Sequence, residues 1–325
     1  MEQFLIPQLG HLRLADLSTR HLAAAFAQIA AGRNRFGELH TPCTLHHVRT
    51  TLQAALNGAV REGLIPDNPA RRMELPIRPR ARAVVWTPAR VAHWQATGTR
   101  PAMAIWTPHQ LAAFLHVARG DRLRALWWLM ALRGLRRGEA VALRWTDLDL
   151  DTREAWICRA RTSAGYRVHE GPPKTAAGTR TIALDKKTVA VLRRHTRRQQ
   201  AEQAATRAAS RPWYESGYVF TRPDGSPLHP DYVSQRFRLL VVRSGLPPIR
   251  LHDLRHGAAT LAHTADADLK TVQDQLGHAS IGITADLYTN VLPATQHQAA
   301  EATARLLRHA ADPRRAKTGR KRRRG

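Results

Sequence analysis

Five residues, one upstream and four in the last third of the chain, could together do chemistry on a phosphate ester: Arg136, His252 and Arg255 of His252-Asp253-Leu254-Arg255, His278 of Leu276-Gly277-His278, and Tyr288. A phenol can attack a phosphodiester once its proton is taken up, and imidazoles can move that proton. Two guanidiniums can grip the non-bridging oxygens with planar forks, holding the charge without a metal ion. Taken alone, each residue has a plainer role. HxxR on a helix is often a polar face, a lone tyrosine packs, and Arg136 is one of 51 basic side chains. Order and spacing together carry the signal.

These residues need elements to hold them. On a helix, His252 and Arg255 stand at i, i+3 and share one face, opposite a core-facing stripe of Leu251, Leu254, Ala258 and Leu261. Arg136 follows a helix over 121–133 that Gly134 closes, so a turn can fix its side chain. Arg137 points about 100° away and need not share the role. Between 146 and 184 the period changes, with strands at 154–158 and 180–184 and Lys174 of Pro172-Pro173-Lys174-Thr175 in the turn between them. Thr107, Pro108 and Gln110 form a capping box for a helix over 108–118, and further helices are expected at 186–209, 229–243, 252–264, 267–277 and 282–310.

The first part of the chain is helical. Ser18 caps a helix through Ala31, and a second from Thr44 to Gly63 carries Val48, Leu52, Leu56 and Val60 on one stripe. Its other face holds His46, His47, Arg49 and Arg61, which suit either a solvated or a DNA-facing surface. Pro66 and Pro69 stop it. The expected organisation is a helical domain over 1–75, a basic linker over 76–105, a second domain over 106–310, and a disordered basic tail over 311–325. The linker admits a short helix after Thr87-Pro88. Trp86-Thr87-Pro88 and Trp106-Thr107-Pro108, twenty residues apart, mark two similar helix starts. The fold class is mainly α with a small antiparallel β-sheet, and a fragment starting near Met103 is expected to fold alone.

Composition narrows the partner. Lys+Arg 51 against Asp+Glu 25 gives +26. The eight basic residues after Pro313 account for eight of those charges, so the remaining chain is still at +18. Such a field favours a polyanion, and nucleic acid is the expected partner. Cys43 and Cys158 cannot build a disulfide framework or a four-thiolate zinc site. The start lacks a signal-peptide pattern, and no apolar run reaches the roughly 18 residues of a spanning helix. A soluble cytoplasmic protein away from the membrane is expected.

Gly134-Leu135-Arg136-Arg137-Gly138-Glu139 through Trp145 resembles the first arginine box of the tyrosine recombinases, the phage-type integrases. Pro173-Lys174-Thr175 through Ile182 is similar to their lysine hairpin, His252-Asp253-Leu254-Arg255-His256 to their second box, and Leu276-Gly277-His278 with Tyr288-Thr289 to their third. The likeness spans about 106–305. Gly10-His11-Leu12-Arg13-Leu14 and Gly63-Leu64-Ile65-Pro66-Asp67-Asn68-Pro69 resemble the family's helical core-binding domain. Arg133 stands where a Thr is frequent and Gly257 where Thr or Ser is, neither at a catalytic position. The core-binding domain is expected to begin late, its first helix missing.

The resemblance implies a helical core-binding domain joined to a mixed α/β catalytic domain that cleaves and rejoins DNA at duplex attachment sites, as a homotetramer and with no cofactor. Tyr288 would form a 3′-phosphotyrosine, Arg136 and Arg255 would hold the phosphate, and His278 and His252 would donate to it or move the tyrosine proton. Lys174 would protonate the departing 5′ oxygen, and Glu139 would support the arginine side. The product would be integration or excision of a mobile element. A truncated, recombination-deficient DNA-binding remnant is the alternative, and type IB topoisomerase activity would use the same chemistry.

Overall fold

A computed structural model of the chain describes residues 1–34, 37–77, 83–165, 167–280, 301 and 304. The chain divides after residue 80 into two compact units.

The first unit is built on three helices, α1 (Ile6–Leu9), α2 (Thr19–Ala31) and α3 (Pro42–Arg61). Ser18 caps α2 by accepting from the His21 amide, and the His21 ring closes a capping box. Thr41 caps α3, which starts two residues ahead of the Thr44 expected from sequence, with Pro42 at a position whose missing N–H costs nothing. Leu22, Phe26 and Ile29 of α2 pack with Leu45, Val48, Leu52 and Leu56 of α3, and Val60 is partly buried beside them. The chain after α3 is pinned back by buried Asn68. Its amide donates to Asn57 Oδ1 at 2.8 Å, and its Oδ1 accepts from the Ala70 N–H at 2.9 Å.

The second unit starts earlier than the sequence reading placed it. Residues 76–105, expected as a linker, carry β1 (Val84–Val85), α4 (Pro88–Thr97) and β2 (Ala104–Ile105). β1 and β2 pair in parallel, Val84 against Ala104 and Val85 against Ile105. The Trp-Thr-Pro repeat is therefore a strand–tryptophan–cap–helix unit used twice. Thr87 and Thr107 each cap the following helix, α4 and α5 (Pro108–Val117). Both tryptophans are buried in the main core, and their indole N–H groups donate to neighbouring carbonyls, Trp86 to Pro248 at 3.2 Å and Trp106 to Pro247 at 2.8 Å. Those bonds satisfy two indole N–H groups that burial would otherwise strand.

Beyond α5 come α6 (Arg124–Arg133), ended by Gly134 in the left-handed region, and α7 (Arg137–Ala142). A three-stranded antiparallel sheet follows, ordered β3 (Leu148–Asp149), β4 (Glu154–Ile157), then the last strand, Arg180–Ala183. Between β4 and that strand lies a hairpin absent from the sequence reading, β5 (Ala160–Ala164) with β6 (Arg167–Gly171), so Arg180–Ala183 is β7. α8 (Lys186–Ala208), α9 (Pro230–Ser244), α10 (Asp253–Thr264) and α11 (Leu269–Leu276) complete the described fold. Trp106, Phe114, Trp127 and Phe237 form the aromatic centre, with ring centroids 5.1–6.5 Å apart. The expected helix over 282–310 and the basic tail lie outside the described residues. No helix among the described residues is long and apolar enough to cross a membrane.

Candidate active site

Four stretches of the second unit meet at the C-terminal end of α11. The last carbonyls of a helix have no partner within it and carry its negative dipole end, so they attract cations. Three consecutive ones here take one arginine each. The Gln275 carbonyl accepts from Arg180 Nε at 2.7 Å, the Leu276 carbonyl from Arg255 Nη2, and the Gly277 carbonyl from Arg136 Nη2 at 3.0 Å.

Glu139 is the counter-charge. Its side chain is only 1% exposed. Oε1 accepts from Arg136 Nη1 at 2.7 Å and Arg180 Nη1 at 3.2 Å, and Oε2 from Arg180 Nη2 at 3.0 Å. Oε2 also accepts the Arg136 backbone N–H at 2.9 Å, which caps α7. Burial disfavours the charge on Glu139, but the Arg180 hydrogen bonds and charge, with Arg136, outweigh it and hold the carboxyl below its ordinary value.

The two sequence-read arginines differ in setting. Arg136 is 38% exposed, and among the described residues the bonds above leave three of its five N–H groups uncommitted. Arg255 is 2% exposed and donates from Nη1 to the Gly134 carbonyl at 2.7 Å. Burial, then the charge of Arg136, lowers its pKa to about 9, which leaves it charged at neutral pH. The picture of His252 and Arg255 sharing one exposed helical face is corrected accordingly. His252 stands at the N-cap position of α10, at the solvent rim but with its ring partly shielded beside Arg255, whereas Arg255 reaches inward between Gly134 and Leu276.

The imidazoles are held neutral. Burial and then Arg255 lower His252, and burial followed by Arg255 and Arg136 takes His278 to about 3. His256 meets His252 edge to face at 5.1 Å and is itself lowered to about 4 by burial and then by His252. Neutral imidazoles beside arginines can accept a proton or donate one N–H to an anion. A cleft of about 830 Å³ opens beside His252, with Arg100, Arg137, Arg238 and Arg250 on its walls. Arg137 is tied to Asp231 and Ser234 of α9, apart from the cluster, as its angular offset implied.

The structure therefore brings Arg136, Glu139, Arg255 and His278 together with His252 at the rim. Lys174 stands exposed on the loop after β6, and among the described residues no hydrogen bond or ion pair joins it to the cluster. Tyr288 lies outside the described residues. Arg180 is not among the site residues expected from sequence, where it stands at the start of a strand within the lysine-hairpin likeness, although a charged residue opening a strand with a buried Ile182 is a signal that its head needs a partner.

The chain belongs to the phage integrase family, whose profile matches residues 105–295. It is 27% identical over 269 residues to a XerC-like tyrosine recombinase of Caldanaerobacter subterraneus, covering 79% of this chain and 65% of the relative. It is also 27% identical over 261 residues to the ICEBs1 integrase of Bacillus subtilis, with 79% and 64% covered. The chain thus spans just under two thirds of the length of these curated relatives. Its fold is similar to that of the Tn1549 transposon integrase solved in complex with transposon right end DNA, with a TM-score of 0.64 at 19% identity over 91% of this chain and 89% of that one.

Proposed function

We propose that this protein cleaves and rejoins duplex DNA at specific sites through a 3′-phosphotyrosine at Tyr288, and so integrates or excises a mobile element. The observation that carries this reading is the set of three arginines aligned by one helix end beside two neutral imidazoles. The names of the proteins it resembles, the ICEBs1 integrase and the Tn1549 transposon integrase, point the same way.

The Tyr288 oxygen attacks phosphorus, its proton passing to His252 or His278, and the bond to the 5′ oxygen breaks as Lys174 supplies a proton to it. Arg136 and Arg255 hold the non-bridging oxygens as charge shifts onto them. Arg255 is fixed by two carbonyls, so it offers a preset donor, while Arg136 offers its outward N–H groups. The phosphotyrosine conserves the bond, and a free 5′ hydroxyl reverses the same steps. Exchange between two duplexes needs four strand cuts, hence four tyrosines and a homotetramer on paired attachment sites. The cleft beside His252 gives the backbone an arginine-lined path.

The test uses the whole chain and a nicked duplex taken from inverted repeats flanking the gene. Wild-type protein should give a covalent protein–DNA band on a denaturing gel, and Tyr288→Phe should bind the duplex without forming it. A phenylalanine variant that still traps DNA, or a wild-type protein that never does, would overturn the proposal.

A further inference from the structure

Arg180 has no part in the steps proposed above, yet it makes more side-chain bonds within the cluster than Arg136 or Arg255 does. Nε donates to the Gln275 carbonyl at 2.7 Å, Nη1 to the Gly178 carbonyl at 2.8 Å and to Glu139 Oε1 at 3.2 Å, and Nη2 to Glu139 Oε2 at 3.0 Å. Its side chain is 7% exposed. Unlike Arg255, whose two bonds go to backbone carbonyls, Arg180 spends two of its four on a buried carboxylate and cannot turn toward a phosphate without abandoning it, which is costly. Its work must pass through what it holds.

We infer that Arg180 is a positioning residue that sets Arg136 for the scissile phosphate by sharing Glu139 with it. Glu139 is approached from one side by the fork of Arg180 and from the other by the backbone and side chain of Arg136. With Arg180 present, the buried carboxylate is half neutralised and Arg136 needs to give it one side-chain N–H. Without Arg180, Arg136 is the remaining cation in contact with Glu139 among the described residues and is drawn inward onto both oxygens, away from the solvent side where a phosphate would lie. The bonds to Gln275 and Gly277 act in the same direction, since Arg180 and Arg136 rest on carbonyls two residues apart at one helix end. The inference rests on the phosphotyrosine reading.

Three full-length variants test it on the nicked duplex, beside a duplex whose scissile phosphate carries a methyl in place of one non-bridging oxygen and is therefore neutral. Arg180→Met should bind DNA within about threefold of wild type but form the covalent adduct about 100-fold more slowly, the usual cost of a misplaced catalytic group. On the neutral duplex its deficit, like that of Arg136→Ala, should shrink to less than about tenfold, because less charge awaits Arg136. Arg180→Lys keeps a cation beside Glu139 and so guards against misfolding. It should still unfold in a single cooperative transition yet react at least about tenfold slower, because it lacks the fork. A lysine variant that cleaves at the wild-type rate would show that charge alone suffices and overturn the inference. So would an Arg180→Met deficit undiminished on the neutral duplex. Absence of adduct with the wild-type protein would instead sink the reading beneath it.

Discussion

Arg255 donates a 2.7 Å hydrogen bond to the carbonyl of Gly134, joining the second arginine box to the residue that ends α6. Gly134 has φ +66°, and a Cβ there would lie 2.5 Å from Leu276 Cδ2 and 3.5 Å from Arg255 Cγ. Gly134→Ala should therefore destabilise the fold by roughly 1–3 kcal/mol from backbone strain and crowding. It should also slow adduct formation by displacing Arg255. Urea unfolding and single-turnover cleavage check both, and an alanine variant of wild-type stability would refute the account.

Trp86 is 1% exposed and belongs to the main core, so the boundary of the second unit lies before it. A fragment beginning at Ala83 should fold and unfold cooperatively. One beginning at Met103 loses β1, α4 and Trp86 and should be aggregated or partly folded, against the expectation from sequence. In the full chain, Trp86→Ala should cost about 3–5 kcal/mol, as for other buried aromatics. Circular dichroism melts of both fragments decide the matter, and a well-folded fragment from Met103 would contradict it.

What the sequence revealed and what it concealed differ by the range of the forces involved. The caps at Ser18 and Thr107, the stop at Gly134, and the strands near 154 and 180 are set by neighbours a few residues away, and all five are readable. The β5–β6 hairpin was not, because Arg161, Ser163, Arg167 and Glu170 give neither face a buried apolar row to betray a period of two. Trp86 looked like linker because its partner, Pro248, lies 162 positions on. Arg255 was placed on an open face because its two carbonyl acceptors belong to other segments.

Stability should fall as the pH drops below neutrality. His195 is buried, donates to the Val219 carbonyl at 2.7 Å, and is lowered to about 4 by burial. His256 and His278 lie near 4 and 3. A folded pKa below the unfolded value of about 6.5 means the unfolded chain binds more protons, so this contribution is full above that value and is lost as the pH falls toward 4. Asp185, lowered to about 2 by hydrogen bonds and charge that overcome burial, changes only below its unfolded value and leaves this window alone. The urea midpoint at pH 5 should lie below that at pH 7.5, and His195→Gln, which keeps a donor for Val219, should narrow the gap. Equal midpoints would count against buried neutral imidazoles.

Eight basic residues follow Pro313 in a stretch with no large apolar side chain. Deleting residues 314–325 should flatten the dependence of log affinity on log salt by about 0.9 for each phosphate those residues neutralise, while site preference stays the same. Binding measured across a salt series reads the slope directly. An unaltered slope would mean that the tail takes no part in DNA binding.

The bonds that gather the arginines span 121 positions from Arg255 to Gly134, 141 from Arg136 to Gly277, and 95 from Arg180 to Gln275. Contacts of such sequence separation form late, because a long loop must close before they stabilise anything. As the chain leaves the ribosome, Arg136 is made long before the helix end that aims it. The charge-holding pocket closes only after residue 278 has been synthesised and the second unit has condensed around it. Timing thus works as a safety catch, since an unfinished or partly unfolded chain has loose arginines but no preset grip on a phosphate.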